Sequence, residues 1–456
     1  MQFIQDMTHG SPLKLLVRFS LPMIIGNLFQ QLYTMTDSII VGKFIGADAL
    51  ASVGACNSVT YLLFSLCLGL SSGIGIVISQ HFGSGNEKNI RKAIGNSIYL
   101  LLSCAIVLTV LGLLCAKPVM ELLGTPKEIM GNAVSYFQIV TAGTIAVAFY
   151  NGISSILRAL GDSRTPLFFL ILAALLNIGL DLLFVLIFHM GVAGTALATT
   201  LAQLVSACSC LAFAIHTNPY FRLTKTCFAP DRELITQMLH IGLPLSLQNA
   251  MIALSCTVLQ GIINTFGTTV VAAFTSTNRI ESLIAQVFLS LNTALSSYTA
   301  QNLGAENPDR VRQGTRCSVG IVCVFSIIML LFIYLFGKSV MGWFVQEPDV
   351  IQTGSRALKL ISCFFAAWGL LYVFRGVLNG AGNAGFAYVS GLLEIIGRVG
   401  FALLFTRMDS VGVWGIWLAE GCTWILITVA GIYCYRRGNW KHSKLIRVSA
   451  GKYSLR

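Results

Sequence analysis

The sequence predicts an all-α membrane protein with twelve transmembrane helices in two six-helix bundles related by an internal parallel repeat. Three observations carry this prediction. Hydrophobic residues make up 55% of the 456 positions and charged residues only 11%, against roughly 25% charged in an average soluble domain. Apolar runs recur from end to end, each long enough to cross a hydrocarbon core of about 30 Å. The chain is also written twice, with the second copy displaced by 221 residues.

In chain order the spans fall near 13–37, 52–79, 93–116, 131–156, 167–189 and 192–215 in the first half. In the second half they fall near 236–264, 270–299, 315–337, 355–378, 386–406 and 411–435. The first follows a short polar start without a cleavage-site pattern, so it reads as a retained helix and not a signal peptide. The stretch "GAGNAG" at 380–385 matches a dinucleotide-binding pattern, but no strand precedes it, so it reads as a tight turn between two spans. No phosphate-binding P-loop is present, which excludes direct ATP drive.

The repeat aligns "GVAGTALAT" (191–199) with "GVWGIWLAE" (412–420). It pairs Gln80 with Gln301, Asn86 with Asn307 and Gly161 with Gly382, and, at a shift of 222, Pro22 with Pro244. Each half has an even number of spans, so both enter the membrane in the same sense, and a site between parallel repeats is the expected place for a transported substrate. The predicted domains are an N-terminal lobe (1–215), a cytoplasmic linker (216–235), a C-terminal lobe (236–435) and a basic cytoplasmic tail (436–456).

The net charge of +12 is distributed unevenly. Of the 30 Lys and Arg residues, 21 fall on the side that holds both termini, which by the positive-inside rule is the cytoplasm. This predicts a multi-pass protein of the cell inner membrane, its tail "RRGNWKHSKLIR" lying on anionic headgroups. No basic stripe stands on a soluble fold, so nucleic acid is not expected as a partner. The 13 cysteines are scattered without a CxxC motif and the 6 histidines without HxxxH. They read as packing and loop residues, with no metal site and no catalytic cluster. An enzyme is therefore not expected.

Polar groups inside the apolar spans remain. Asn177 and Asp181 lie four apart on one helix face, and in the first span Gln30, Tyr33 or Thr34, and Asp37 lie on another. A carboxylate at the bilayer centre costs about 2.5–3.5 kcal/mol on insertion scales, so such groups turn inward. With Thr199 they form a hard-oxygen set suited to a proton or to Na⁺. The competing role is to tie helices together by hydrogen bonds, each worth only about 0.6 kcal/mol on average. Two acids favour the cation site, because the only Lys and Arg of these spans, Lys14 and Arg18, lie at the opposite end of the first span from Asp37.

The second half departs here. Arg398 stands opposite Asn177, Ala402 opposite Asp181 and Glu420 opposite Thr199, with Glu394 one turn before Arg398. Glu394, Arg398 and Glu420 are expected to form a charge network in which Arg398 is a tethered cation. Pro22 is expected to kink the first helix, about 22 Å before Asp37. Arg279 and Glu281, two apart, do not share a face.

These features resemble the multidrug and toxic compound extrusion (MATE) family over residues 10–435. The resemblance rests on the "RFSLPMIIGNLFQQLYTMTDSIIVG" opening, on "SQHFGSGNEKNIRKA" with its second copy "AQNLGAENPDRVRQG", and on "RALGDSRTP". It implies a secondary antiporter that exports amphipathic, often cationic compounds in exchange for H⁺ or Na⁺. It assigns cation coupling to Asp37, Asn177, Asp181 and Thr199, with no cofactor and no metal beyond a Na⁺ at that site. Another branch uses acids in "PLSLQNAMIALS" and "FFAAWGLLYVFRG", where this chain has none.

Substrate-cavity candidates are Asn27, Gln30, Tyr33, Asn151, Asn249 and Tyr298. Small amphipathic organic molecules, the coupling ion and membrane lipids are the expected partners, and a monomer is the expected state. The alternative within the same superfamily is a lipid-linked oligosaccharide flippase, which calls for a cationic cavity that the sequence does not display.

Overall fold

The structure, a computed structural model, describes residues 4–441. It is helical throughout, and no strand occurs among the described residues. The first half contains α1 (Pro12–Ile40), α2 (Ala47–Gly83), α3 (Glu87–Leu122), α4 (Lys127–Ala142), α5 (Thr144–Ala159), α6 (Arg164–Leu182) and α7 (Gly191–Thr217). The second contains α8 (Arg232–Ile263), α9 (Thr268–Gly304), α10 (Pro308–Gly342), α11 (Pro348–Ser362), α12 (Phe365–Gly380), α13 (Ala384–Thr406) and α14 (Gly415–Arg437).

Among the described residues, nine of these helices are long and apolar enough to cross a membrane singly. Two bent pairs, α4 with α5 (43°) and α11 with α12 (52°), each pass when taken as one span. The twelfth expected span is α9, whose 37 residues exceed the length a bilayer requires. Its Arg279, Glu281 and many Ser, Thr, Asn and Gln residues keep it below the apolar threshold that the other eleven meet. Those polar residues are tolerated because much of α9 is buried in protein. The outer face of α10 is the opposite case, with Val324, Ile327, Ile328, Leu331 and Leu335 all more than half exposed, as lipid contact requires.

Helix starts follow local chemistry. The Asn86 side chain accepts from Asn89 N–H (3.1 Å) at the head of α3, and its repeat partner Asn307 accepts from Arg310 N–H (3.3 Å) at the head of α10. Asp162 accepts from the Arg164 and Thr165 N–H groups, both at 3.0 Å. Its partner Asn383 accepts from Phe386 N–H at 3.0 Å. "GAGNAG" is thus a capped turn, with Gly382 in the left-handed region (φ 74°). Gly161 (φ 86°) repeats that turn in the first half, and a side chain there would also overlap Gln5 backbone. Burial holds the Asp162 carboxyl above the usual range, against the lowering effect of the bonds it accepts.

The chain forms two compact units. One comprises the residues up to Asp6 with Leu21–Ser246, the other Met7–Ser20 with the chain from Leu247 onward. The first helix of each half, α1 and α8, therefore passes from one unit to the other, and Pro22 and Pro244 each lie within two residues of the crossing. Within the first unit α2 packs on α3, α4 and α5, and α6 on α7. Within the second α9 packs on α10, α11 and α12, and α13 on α14. The pairings match helix for helix under the repeat. In the second unit Met7 N–H donates to Gln301 (2.9 Å), and Arg310 donates to Met7 and Gly10 carbonyls, so the segment before α1 is bonded to α9 and α10. The tail predicted over 436–456 is described through Lys441, and its remainder lies outside the described residues.

Candidate functional site

Two helices of the first unit bring Asp37 and Asp181 together. Asp181, on α6, is fully buried (0% exposed), and Asp37, on α1, is its acidic neighbour. Asn177, one turn earlier on α6 and 2% exposed, donates its amide N–H to the Thr199 hydroxyl of α7 at 3.2 Å. Four buried oxygens are left without a hydrogen-bond partner among the described residues: both of Asp181, Asn177 Oδ1 and Asp37 Oδ1. Such an atom ordinarily costs about 1–3 kcal/mol. Four of them lie together here, and none of the three residues that carry them makes an ion pair among the described residues. Tyr33, Asn177 and Thr199 also line a narrow cleft with Gln203 and small residues of α6 and α7.

The backbone beside the two acids is unusual. α1 ends in a π-helical turn at Val41–Ile45, one turn after Asp37, and α6 ends in another at Leu183–Ile187, directly after Asp181. The two turns touch each other, and both pack on α7. Val41 is buried there with Ala49, Val53 and Val192, under Ile45 and Tyr136. π-Helical turns are rare and concentrate at functional sites. At the corresponding place in the second half α8 ends in a 3₁₀ turn, Asn264–Phe266.

The second unit holds the network of Glu394, Arg398 and Glu420. Arg398 donates to Glu394 at 3.0 Å, and its Nε stands 3.8 Å from Glu420. It also donates to Ser255 (3.1 Å) and Cys256 (2.7 Å). Arg375 completes the set from α12, donating to the other Glu394 oxygen at 2.7 Å. Arg375 lies near the cytoplasmic end of the span predicted at 355–378 and counts among the 21 cytoplasmic-side cations. It is 4% exposed inside the helix, because a buried Glu394 supplies its counter-charge. Arg279 is exposed whereas Glu281 is buried, as their spacing requires. Trp417 Nε1 donates to Thr277 at 3.3 Å, so the next turn of each of these two helices carries Glu281 and Glu420.

The cavity candidates are placed unequally. Gln30 is exposed, and Asn27, Tyr33, Asn151 and Asn249 are half-buried. Tyr298 is 0% exposed and donates its hydroxyl to the Arg310 carbonyl at 3.0 Å. Gly314 packs on its ring, so it fastens α9 to α10 and presents no surface to a ligand. Pro22 lies within a continuous α1. Among the described residues no cluster of His, Cys, Asp and Glu forms a metal site.

A family model described as MatE matches residues 22–183 and again 244–403. The chain belongs to the MatE family. The two matches begin 222 residues apart, so the family unit is the half and not the whole. A "Probable multidrug resistance protein" of Bacillus subtilis is 32% identical over 442 residues, covering 96% of this chain and 98% of its own. An "FAD transporter" of Shewanella oneidensis is 26% identical, covering 93% and 94%. Among solved structures a MOP superfamily transporter from Pyrococcus furiosus superposes with a TM-score of 0.90 at 26% identity, covering 96% and 98%. MatE proteins are transporters, so this chain is a multi-pass membrane protein that handles small molecules.

In this MatE chain the sequence singled out Asp37, Asn177, Asp181 and Thr199 by their polarity, but it did not point to three further features of the structure. Arg375 was readable as a cation five residues before the "GAGNAG" turn, within an apolar run. Tyr136 was one aromatic among many. The π turns have no sequence signal that separates them from the helices they end.

Proposed function

We propose that this protein is a multidrug efflux antiporter, exporting amphipathic, often cationic compounds in exchange for a cation bound between Asp37 and Asp181. The observation that carries the proposal is the pair of neighbouring carboxyls whose buried oxygens have no donor and no counter-charge among the described residues. Two unit charges about 4 Å apart repel by about 4 kcal/mol at an effective dielectric constant near 20. A proton or Na⁺ removes that repulsion, and Asn177 and Thr199 add neutral oxygens. The multidrug assignment draws on the name of the B. subtilis relative.

A coupling ion drives transport only if it binds two conformations unequally. The π turns after Asp37 and Asp181 supply such a difference, because a wide turn converts to α-helix by shifting its hydrogen-bond register and re-aiming the residues beside it. Pro22 gives α1 a second soft point, where a missing backbone bond allows the helix to kink and straighten. In this reading ion binding favours the state that releases drug outward, and ion release inward resets the cycle. The protein lies in the cell inner membrane with both termini cytoplasmic, and needs no cofactor.

The test is uptake of a fluorescent lipophilic cation such as ethidium into proteoliposomes, with a pH gradient or a Na⁺ gradient imposed one at a time. One gradient is expected to drive transport in the wild type, and neither in Asp37→Asn or Asp181→Asn. Transport by both variants at wild-type rates would remove the site from the mechanism.

A further inference from the structure

Away from the acids, the second unit carries a cleft of about 520 Å³ where the start of α10 meets the ends of α12 and α14. That is within the range of small-molecule sites, about 300–1,000 Å³. Its rim is cationic: Arg312 and Arg316, one turn apart on α10, face Arg436 and Lys441. Its floor is apolar, formed by Val319, Phe374 and Ile432. One wall is rigid. Gly438 (φ 76°) turns the chain back after α14, and Trp440 stacks on Tyr435 with ring centroids 5.1 Å apart and planes 8° from parallel. The Trp440 indole N–H donates to the Tyr435 carbonyl at 2.8 Å, and its ring is 3% exposed.

The charge of this cleft is uncompensated. Arg312 pairs with Asp309 at 2.6 Å, but Arg316, Arg436 and Lys441 make no ion pair among the described residues, and no acid lines the cleft. The positive-inside bias explains cations at this end of the helices. It does not explain why three of them ring an apolar floor behind an aromatic wall.

We propose that this cleft binds an anionic phospholipid, its phosphate held by Arg312, Arg316, Arg436 and Lys441 and the first part of an acyl chain lying on Val319, Phe374 and Ile432. Guanidinium groups match phosphate oxygens in forked geometry, and the floor gives a lipid an advantage that a free phosphate ion lacks.

The test uses the full-length purified protein in detergent and follows bound lipid by native mass spectrometry alongside thermal stability. Phosphatidylglycerol is compared with phosphatidylcholine of the same chains and with inorganic phosphate. A basic residue near a headgroup contributes about 1 kcal/mol, or about fivefold in affinity. The triple variant Arg316→Gln/Arg436→Gln/Lys441→Gln is therefore expected to weaken phosphatidylglycerol binding about a hundredfold. A control triple, Lys88→Gln/Arg222→Gln/Lys225→Gln, removes three exposed cations of the first unit and should leave it unchanged. Arg316→Lys/Arg436→Lys keeps the charge and should retain binding within about tenfold, which separates lost recognition from lost folding. Equal losses in the two triples, equal binding of phosphatidylcholine, or the same stabilisation by inorganic phosphate alone would each overturn the proposal.

Discussion

Replacing Asp181 by Asn tests the candidate site without any transported drug. In the ion-free protein two carboxyls are neighbours, and Asp181 is wholly buried. Two unit charges about 4 Å apart at an effective dielectric constant near 20 repel by about 4 kcal/mol, which sets the scale for neighbouring carboxylates. The substitution removes one of the two charges and places an amide donor against Asp37. The ion-free variant should therefore be more stable than the ion-free wild type, by about 2–4 kcal/mol after allowance for relaxation. The wild type should gain stability from its coupling ion as RT ln(1 + [L]/Kd), about 2.7 kcal/mol at a hundred times Kd. The variant should gain none. The assay is thermal unfolding of detergent-purified protein in a NaCl series balanced with choline chloride, then in a pH series at constant salt. Groups elsewhere, Asp162 among them, move both curves with pH, so the ion that occupies the site is the one whose series separates the wild-type curve from that of Asp181→Asn. If the Asp181→Asn protein follows the wild-type curve in both series, the neighbouring carboxyls are not the ion site.

Three further outcomes are expected. Arg375→Ala leaves a Glu394 oxygen buried without its partner and should cost about 3–5 kcal/mol in unfolding free energy; a cost below about 1 kcal/mol would show that Arg398 alone satisfies Glu394. Glu281 makes no ion pair among the described residues, so Glu281→Gln should stabilise the protein by about 1–3 kcal/mol, and a destabilised variant would identify it as a hidden partner of Arg398. Burial raises the Asp162 carboxyl above its unfolded value, so its contribution to stability is full in acid and is lost as pH rises through the folded-state pKa. Asp162→Asn reproduces the residue of the matching turn, Asn383, and should gain about 1 kcal/mol at neutral pH. It should also flatten that part of the pH-stability curve, measured by thermal unfolding from pH 4 to 8; an unchanged slope would acquit Asp162.

Much of the molecule was legible in the sequence because membrane folding leaves few options. An apolar run long enough to cross has to be a helix, so the spans followed from composition, and the two halves followed from matching turn residues. The exception in kind is α9, whose polar residues defeat a hydropathy reading and are tolerated because protein surrounds them. Asp37, Asn177, Asp181 and Thr199 stood out for the opposite reason, as polar groups in apolar surroundings. Arg375 did not, because a cation near a helix end reads as a loop residue until its buried partner is seen. Tyr298 failed as a cavity residue because an aromatic polar group has the same appearance in sequence whether its hydroxyl meets a ligand or the carbonyl of Arg310.

The two halves separate what the fold needs from what one half does. Both keep the helix pairings, the Asn caps on α3 and α10, the capped turns at Asp162 and Asn383, and a proline where the first helix changes unit. These features recur because either half would lose its packing or its helix ends without them. The differences gather at one place. Where the first half has two acids with unpartnered oxygens, each followed by a π turn, the second has Arg398 bound to Glu394 and a 3₁₀ turn after α8. An unpartnered buried carboxylate is a poor structural element, and a π turn is a poorer helix end than an α or 3₁₀ one. Neither improves stability, and the second half demonstrates that the same fold forms without them. Under the proposed function their joint presence beside Asp37 and Asp181 has a reason: a cation that binds there and a backbone that changes when the cation leaves.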